Sequence, residues 1–221
     1  MKNLFILLAS MLLLASCKKN AVPVGNTYYF SNPQPINDSE LNSIPNKFIG
    51  LYMNEDSIYL NVSKRIITQE SFFKFRIHKN GLDSIADEIV RVKDKYRFKN
   101  KTTFLEDKII GDSIEFSQKE IDTLFVFSDK QKAKRINGKL VLNNKDSIYW
   151  QTKLVYFNKD ELIIKYLYSD DDLKKMDSIT KVKSKKLDST TYIISPSRSE
   201  FKRFFEVKNF GYEAKYKKIV K

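Results

Sequence analysis

The 221-residue chain has one cysteine, Cys17, and one histidine, His78. A single thiol excludes disulfides within the chain, and one Cys with one His cannot build the usual zinc site. A Ser-His-Asp or Cys-His catalytic group would have to be assembled around His78, and no Gly-x-Ser-x-Gly turn supports one. His78 ends an alternating segment beside Lys79-Asn80-Gly81, which reads as an exposed position flanking a turn. Glycine-rich phosphate loops and dinucleotide fingerprints are also missing. The acidic run Asp170-Asp171-Asp172 lacks EF-hand spacing, and a helix start explains it without a cation. No metal or other cofactor is therefore expected. Gly (6) and Pro (5) are scarce while Phe (16) and Tyr (12) are abundant, a balance that suits compact β structure. No apolar run reaches the roughly 20 residues that a membrane-spanning helix needs.

The longest apolar run, Leu4 to Leu14, is broken only by Ser10 and follows the basic start Met1-Lys2-Asn3. Its length fits the apolar segment of a secretory signal. Directly after it, Leu14-Ala15-Ser16-Cys17 resembles the lipobox of bacterial lipoproteins. That resemblance implies a signal peptide over 1–16, cleavage before Cys17, a diacylglyceryl group on its thiol and a further acyl chain, such as palmitate, on its amine. Two or more chains anchor a protein stably where one does so only marginally. Lys18-Lys19-Asn20 lacks both the Asp that retains many such lipoproteins in the inner membrane and the acidic cluster that some use for surface export. The resemblance thus implies an outer-membrane lipoprotein facing the periplasm. Residues 17–45 contain Pro23, Pro33, Pro35 and Pro45 among Asn and Ser, and read as the lipidated Cys and a flexible tether. Thr27-Tyr28-Tyr29-Phe30 is the exception, a candidate edge strand.

The formal net charge is +13, from 40 Lys and Arg against 27 Asp and Glu. The lysines are scattered between apolar and acidic residues, which fits a solvated surface with loose attraction to anionic headgroups better than a nucleic-acid site. No nucleic-acid partner is expected.

Residues 46–221 read as one mainly β domain: an antiparallel meander, sandwich or barrel-like fold with two short helices. Ser57–Val62, Phe73–Ile77 and Thr123–Phe127 alternate as half-buried strands do. Asn137-Gly138 and the Asn/Asp-rich junctions at 54–56, 143–145 and 158–160 supply turns. Ser169 ahead of three aspartates predicts one helix start. The capping box Ser197-x-x-Glu200 after Pro196 predicts another, with Phe201, Phe204 and Phe205 as its buried stripe and Gly211 as its exit before a last strand over 212–220. Asn54-Glu55-Asp56-Ser57-Ile58-Tyr59-Leu60 recurs as Asn144-Lys145-Asp146-Ser147-Ile148-Tyr149-Trp150, and Asp83-Ser84-Ile85 recurs as Asp177-Ser178-Ile179. Two explanations stay open. One is a tandem duplication with related halves 46–130 and 134–221; the other is an Asp-Ser-Ile turn-to-strand junction used repeatedly, as again at 112–114.

The function expected from these features is a membrane-anchored, non-enzymatic binding or accessory module for an envelope protein or glycan. The alternatives are an envelope-polymer hydrolase using a carboxylate pair and a lipid or small-molecule carrier. Besides Cys17 for lipid attachment, the residues singled out are Trp150, the sole Trp, and its neighbour Tyr149, as a weak sugar-stacking platform.

Overall fold

The computed structural model describes residues 25–204 and 206–219. The signal segment, Cys17, Phe205 and Val220 lie outside these. The chain is mainly β with short helices, built around a large, open, mixed sheet. The strands run, in chain order, β1 (Thr27–Phe30), β2 (Gly50–Met53), β3 (Tyr59–Val62), β4 (Ile66–His78), β5 (Ile89–Val92), β6 (Lys95–Phe98), β7 (Phe104–Ile110), β8 (Ser113–Val126), β9 (Gln131–Ile136), β10 (Lys139–Asp146), β11 (Tyr149–Asn158), β12 (Glu161–Tyr166), β13 (Lys185–Lys186), β14 (Thr191–Ile194) and β15 (Tyr212–Lys218). Helices α1 (Asp170–Ile179) and α2 (Arg198–Phe204) start at the two positions that the capping patterns predict. No described helix is long and apolar enough to cross a membrane.

Neighbouring strands follow the order β13-β14-β1-β11-β12-β15-β2-β3-β4-β8-β7-β6-β5, and β10 and β9 continue from the other edge of β11. Every ladder is antiparallel except that of β1 with β14. The sheet rolls so that Leu60 and Ile67 of β3 and β4 meet Leu140, Leu142 and Leu162 of β10 and β12 in one core. It does not close. Between β8 and β9 there is a single bridge, Ser128 to Gln131, and Leu41 instead bonds Ala133 on the free edge of β9. A second core lies outside the roll, where Phe30, Val141, Trp150 and Leu154 pack under Met176 of α1 and Phe201 and Phe204 of α2.

Strands β4 and β8, of 13 and 14 residues, pair along their whole lengths. At about 3.4 Å per residue they project well beyond the roll and carry a small distal lobe. Its core is Ile89, Leu105, Ile114 and Phe116, roofed by the 3₁₀ turn Lys79–Ile85.

Three expectations need correction. Residues 26–45 are packed, so they are no tether. Tyr28, Phe30 and Ile44 are buried, and the backbone of Gln34 exchanges hydrogen bonds with buried Asn143 (2.7 and 2.8 Å) while the Lys134 ammonium donates to the carbonyls of Pro33 and Pro35. Prolines that look like linker punctuation here supply two carbonyls to one buried ammonium, that of Lys134. β1 is an interior strand, flanked by β14 and β11, rather than an edge. Lastly, the halves 46–130 and 134–221 do not pack as two separate subdomains, because the roll draws its apolar side chains from both, although the distal-lobe core belongs to the first alone. The repeated segments do share a local plan. Ser57 and Ser147 turn the β2–β3 and β10–β11 hairpins at φ of 59° and 56°, and each three-stranded meander runs into a helical segment.

Turn and cap chemistry is otherwise as the residue types require. Asn137 and Gly138 take φ of 48° and 73° between β9 and β10. Buried Asp172 accepts from the backbone N–H of Tyr168, Ser169 and Gly211, so one carboxylate caps α1 and fixes the turn into β15. Glu200 closes the second capping box: the Ser197 N–H donates to it at 2.8 Å and the Lys181 N–H at 2.7 Å. These backbone donors, first Lys181 and then Ser197, hold its pKa below the ordinary carboxylate value. A depressed folded pKa adds stability that is present above about pH 4.5 and lost as pH falls through the folded value. Glu200→Gln should therefore lower the urea midpoint at pH 7, and the difference from the native chain should be smaller at about pH 3. An equal difference at both pH values would refute that role.

Candidate functional site

The register of β11 creates a notch. Its edge opposite β10 is shared by two strands: β1 pairs only at Phe30↔Trp150, and β12 begins only at Leu154↔Lys165. Gln151, Thr152 and Lys153 lie between these contacts without a strand partner on that edge. The gap is a cavity of about 340 Å³, floored by these three residues and walled by β1 and by Tyr166, Leu167 and Tyr168. That volume is at the small end of ligand pockets.

The lining is chemically one-sided, with one cation, several hydroxyl and amide groups, aromatic rings, and no carboxylate. Lys153 is half-buried and makes no hydrogen bond or ion pair with any described residue. Its ammonium lies 5.8 Å from the centre of the Tyr166 ring. Burial pushes its pKa down. A desolvated ammonium without a counter-charge is costly, and such groups are commonly paired. Around it stand tyrosines held as neutral phenols. Burial raises Tyr166, and burial raises Tyr28 to about 12 although the Asn26 amide lowers it. The Tyr28 hydroxyl donates to the Ser169 carbonyl at 2.6 Å.

The nearby acids are already engaged. Asp170 accepts from the Asn26 amide at 2.6 Å, and Asp172 accepts three backbone N–H groups. The wall is tight where the chain passes it: a Cβ on Gly25 would lie 2.3 Å from the Tyr168 ring. With Thr152 donating to Asn143 and Asn26 to Tyr28 and Asp170, what remains to a ligand is a positive charge, the Thr27 hydroxyl and the open backbone edge of β11.

A recess of about 540 Å³ at the neck between roll and distal lobe is different in kind. Phe73 and Phe98 line it, with Phe73 49% exposed, and its charges are of both signs: Asp87, Glu88 and Glu120 stand with Lys99 and Lys101, of which Lys101 pairs with Glu120 at 3.3 Å and donates to Gln118. On the helix side one buried cation has a carboxylate partner. Lys165, nearly buried, meets Glu213 at 3.0 Å, and Tyr156 donates to the same carboxylate. Among the described residues no group of three or more His, Cys, Asp or Glu side chains could hold a metal ion.

Comparison of the chain with protein-family models, with curated proteins and with solved structures finds no match. The residues of the site must speak for it alone.

The positions singled out from sequence fare differently. Trp150 is not an open platform. It is 7% exposed, sits in the core beneath the helices, and has Lys132 and Lys145 at 5.8 and 5.7 Å from its ring. Strand alternation turns it toward α1 and α2. Tyr149 lies against Tyr29, with ring centres 5.9 Å apart, and the Tyr29 hydroxyl bonds Asp146. His78 is exposed at the end of β4, where its Nδ1 accepts the Asn80 N–H at 3.2 Å. Cys17 lies outside the described residues. Sequence reasoning missed Lys153, because nothing local distinguishes it among so many lysines. Its signal is its place on a strand whose neighbours Trp150 and Leu154 are both buried.

The cost carried by Lys153 can be measured. Its folded pKa lies below the ordinary value near 10.5, so the unfolded chain binds the extra proton and stability rises with pH through that window. Lys153→Met should raise the urea midpoint at pH 7, and its advantage should narrow by about pH 10, before Tyr28 and Tyr166 ionise. An advantage unchanged by pH would mean that the methyl group merely packs better.

Proposed function

We propose that the protein is a lipid-anchored envelope lipoprotein that acts as a binding or accessory module, with the notch around Lys153 as its ligand seat. The observation that carries this reading is the lining of the notch: one unanswered ammonium among hydroxyl, amide and aromatic groups, a set suited to holding and orienting a ligand. The anchor half of the proposal rests on Leu14-Ala15-Ser16-Cys17 after its apolar run. With the thiol committed to lipid, Cys17 is an address and takes no part in redox or metal chemistry.

The carrier alternative gains from one feature. Gly25 and Asn26, the first described residues, are part of the wall of the notch. From Cys17 to Gly25 the backbone can span at most about 28 Å even when fully extended. A lipid on Cys17 would therefore keep the notch close to the headgroups, within reach of what the membrane presents. The hydrolase alternative requires two carboxylates facing one cavity; the notch has none, whereas the recess at the neck is lined by Asp87, Glu88 and Glu120, of which Glu120 pairs with Lys101.

The anchor is tested by expressing the full chain and its Cys17→Ser variant in a Gram-negative host with labelled palmitate. The native chain should take up label and sediment with outer membranes, and the variant should lose both. Label retained by the variant would overturn the lipoprotein reading. Cross-linking of the native chain in intact cells, followed by identification of what it captures, reads out the envelope partner.

A further inference from the structure

We infer that the notch binds an oxyanion, a phosphate- or carboxylate-type group carried by a small amphiphile or solute, with the Lys153 ammonium as its counter-charge and the Thr27 hydroxyl and the open backbone edge of Gln151–Lys153 as its hydrogen-bonding groups. This deepens the ligand seat proposed above, and it depends on the lipid anchor only for where the ligand comes from.

Three observations converge. First, the cavity is a break in strand pairing. Backbone polar groups along Gln151–Lys153 have no ladder on that side, and unpaired backbone N–H and C=O are obligatory hydrogen-bonding groups that a ligand can satisfy. Secondly, charge in the lining has one sign only. Lys153 meets no carboxylate among the described residues, and no carboxylate lines the cavity it stands in. Thirdly, the acids nearest the notch are turned to other work: Asp172 holds three backbone N–H groups and Asp170 holds the Asn26 amide, so neither is free to swing in and neutralise the lysine. Lysine acts on phosphate as a point charge, while hydroxyl and amide donors set the direction. The ring of Tyr166 under the ammonium supplies partial compensation while the seat is empty, since a cation over an aromatic face is stabilised modestly. The volume of about 340 Å³ limits the ligand to a headgroup-sized body.

The test uses the full chain in non-ionic detergent, with the acetylation rate of Lys153 by acetic anhydride read by mass spectrometry. Lys174, exposed on α1, serves as the internal reference. Four probes are compared at matched ionic strength: inorganic phosphate, acetate, a short-chain phosphatidylglycerol and a short-chain phosphatidylcholine. An anion on the ammonium holds its proton, so an oxyanion should slow acetylation of Lys153 about tenfold or more at saturation and leave Lys174 unchanged. Lys153→Met should abolish the thermal stabilisation that the same probe confers, and Lys153→Arg should keep most of it.

Protection by phosphatidylglycerol with little from phosphate or acetate identifies a headgroup as the source. Protection by the simple anions alone identifies a soluble one. No protection by any anion overturns the proposal, as does equal slowing of Lys174, which would be plain screening. Repeating the measurement on Cys17→Ser separates the two readings: protection that persists there leaves the oxyanion seat intact even if palmitate labelling fails.

Discussion

The β10–β11 ladder is the constraint on which the rest of the structure depends. It is paired over seven positions, Leu140↔Val155 to Asp146↔Tyr149, and it is the wall shared by two cores. Strand alternation sends Leu140, Leu142 and Val155 into the roll and Val141, Trp150 and Leu154 toward the helices. A one-residue slip would exchange the two sets, placing Asn143 and Thr152 in the roll and breaking their 2.8 Å hydrogen bond. The buried polar pair thus acts with the apolar pattern to hold one register. The same pair secures the N-terminal segment, because Asn143 also holds the backbone of Gln34.

From that wall the notch follows. β11 is ten residues long and its outer edge is covered at two places, by β1 from the N-terminal segment at Trp150 and by β12, the next strand of its own hairpin, from Leu154 onward. The parallel pairing of β1 with β14 fixes the tilt of β1, and α1 with the Gly211 turn fixes the end of β12. Gly211 is confined twice over: its φ is 76°, and a Cβ there would lie 2.8 Å from the Tyr166 carbonyl. The gap left between β1 and β12 is therefore held by packing on both sides, and Lys153 is committed to it by the parity of Leu154 and Val155.

Much of this architecture was legible in the residues. The alternating segments became strands, Asn137-Gly138 became a tight hairpin turn, and Ser169 and Ser197 cap helices where they were expected, because each of these signals is local and acts through its own backbone. The prolines of residues 33–45 misled for an equally physical reason. Proline removes a donor and restricts φ whether the chain is solvated or packed, so composition cannot tell a tether from a segment pinned by distant Asn143 and Lys134. Trp150 misled through face: a lone aromatic residue on a strand reads alike on either side until the helices that cover one side are placed.

By itself, the sequence determined the lipobox-like start, the single cysteine and single histidine, the β-rich class and the caps, since each depends on residue type and near-neighbour spacing. Only the tertiary structure decided that the roll stays open, that both repeats contribute to the core of the roll, and that Lys153 stands over a ring without a carboxylate. Those outcomes depend on contacts between residues more than a hundred positions apart, such as Phe30 with Trp150 and Gln34 with Asn143. Whether a lysine is answered by a carboxylate is a property of the space around it, and that space exists only once β1, β11 and β12 have met.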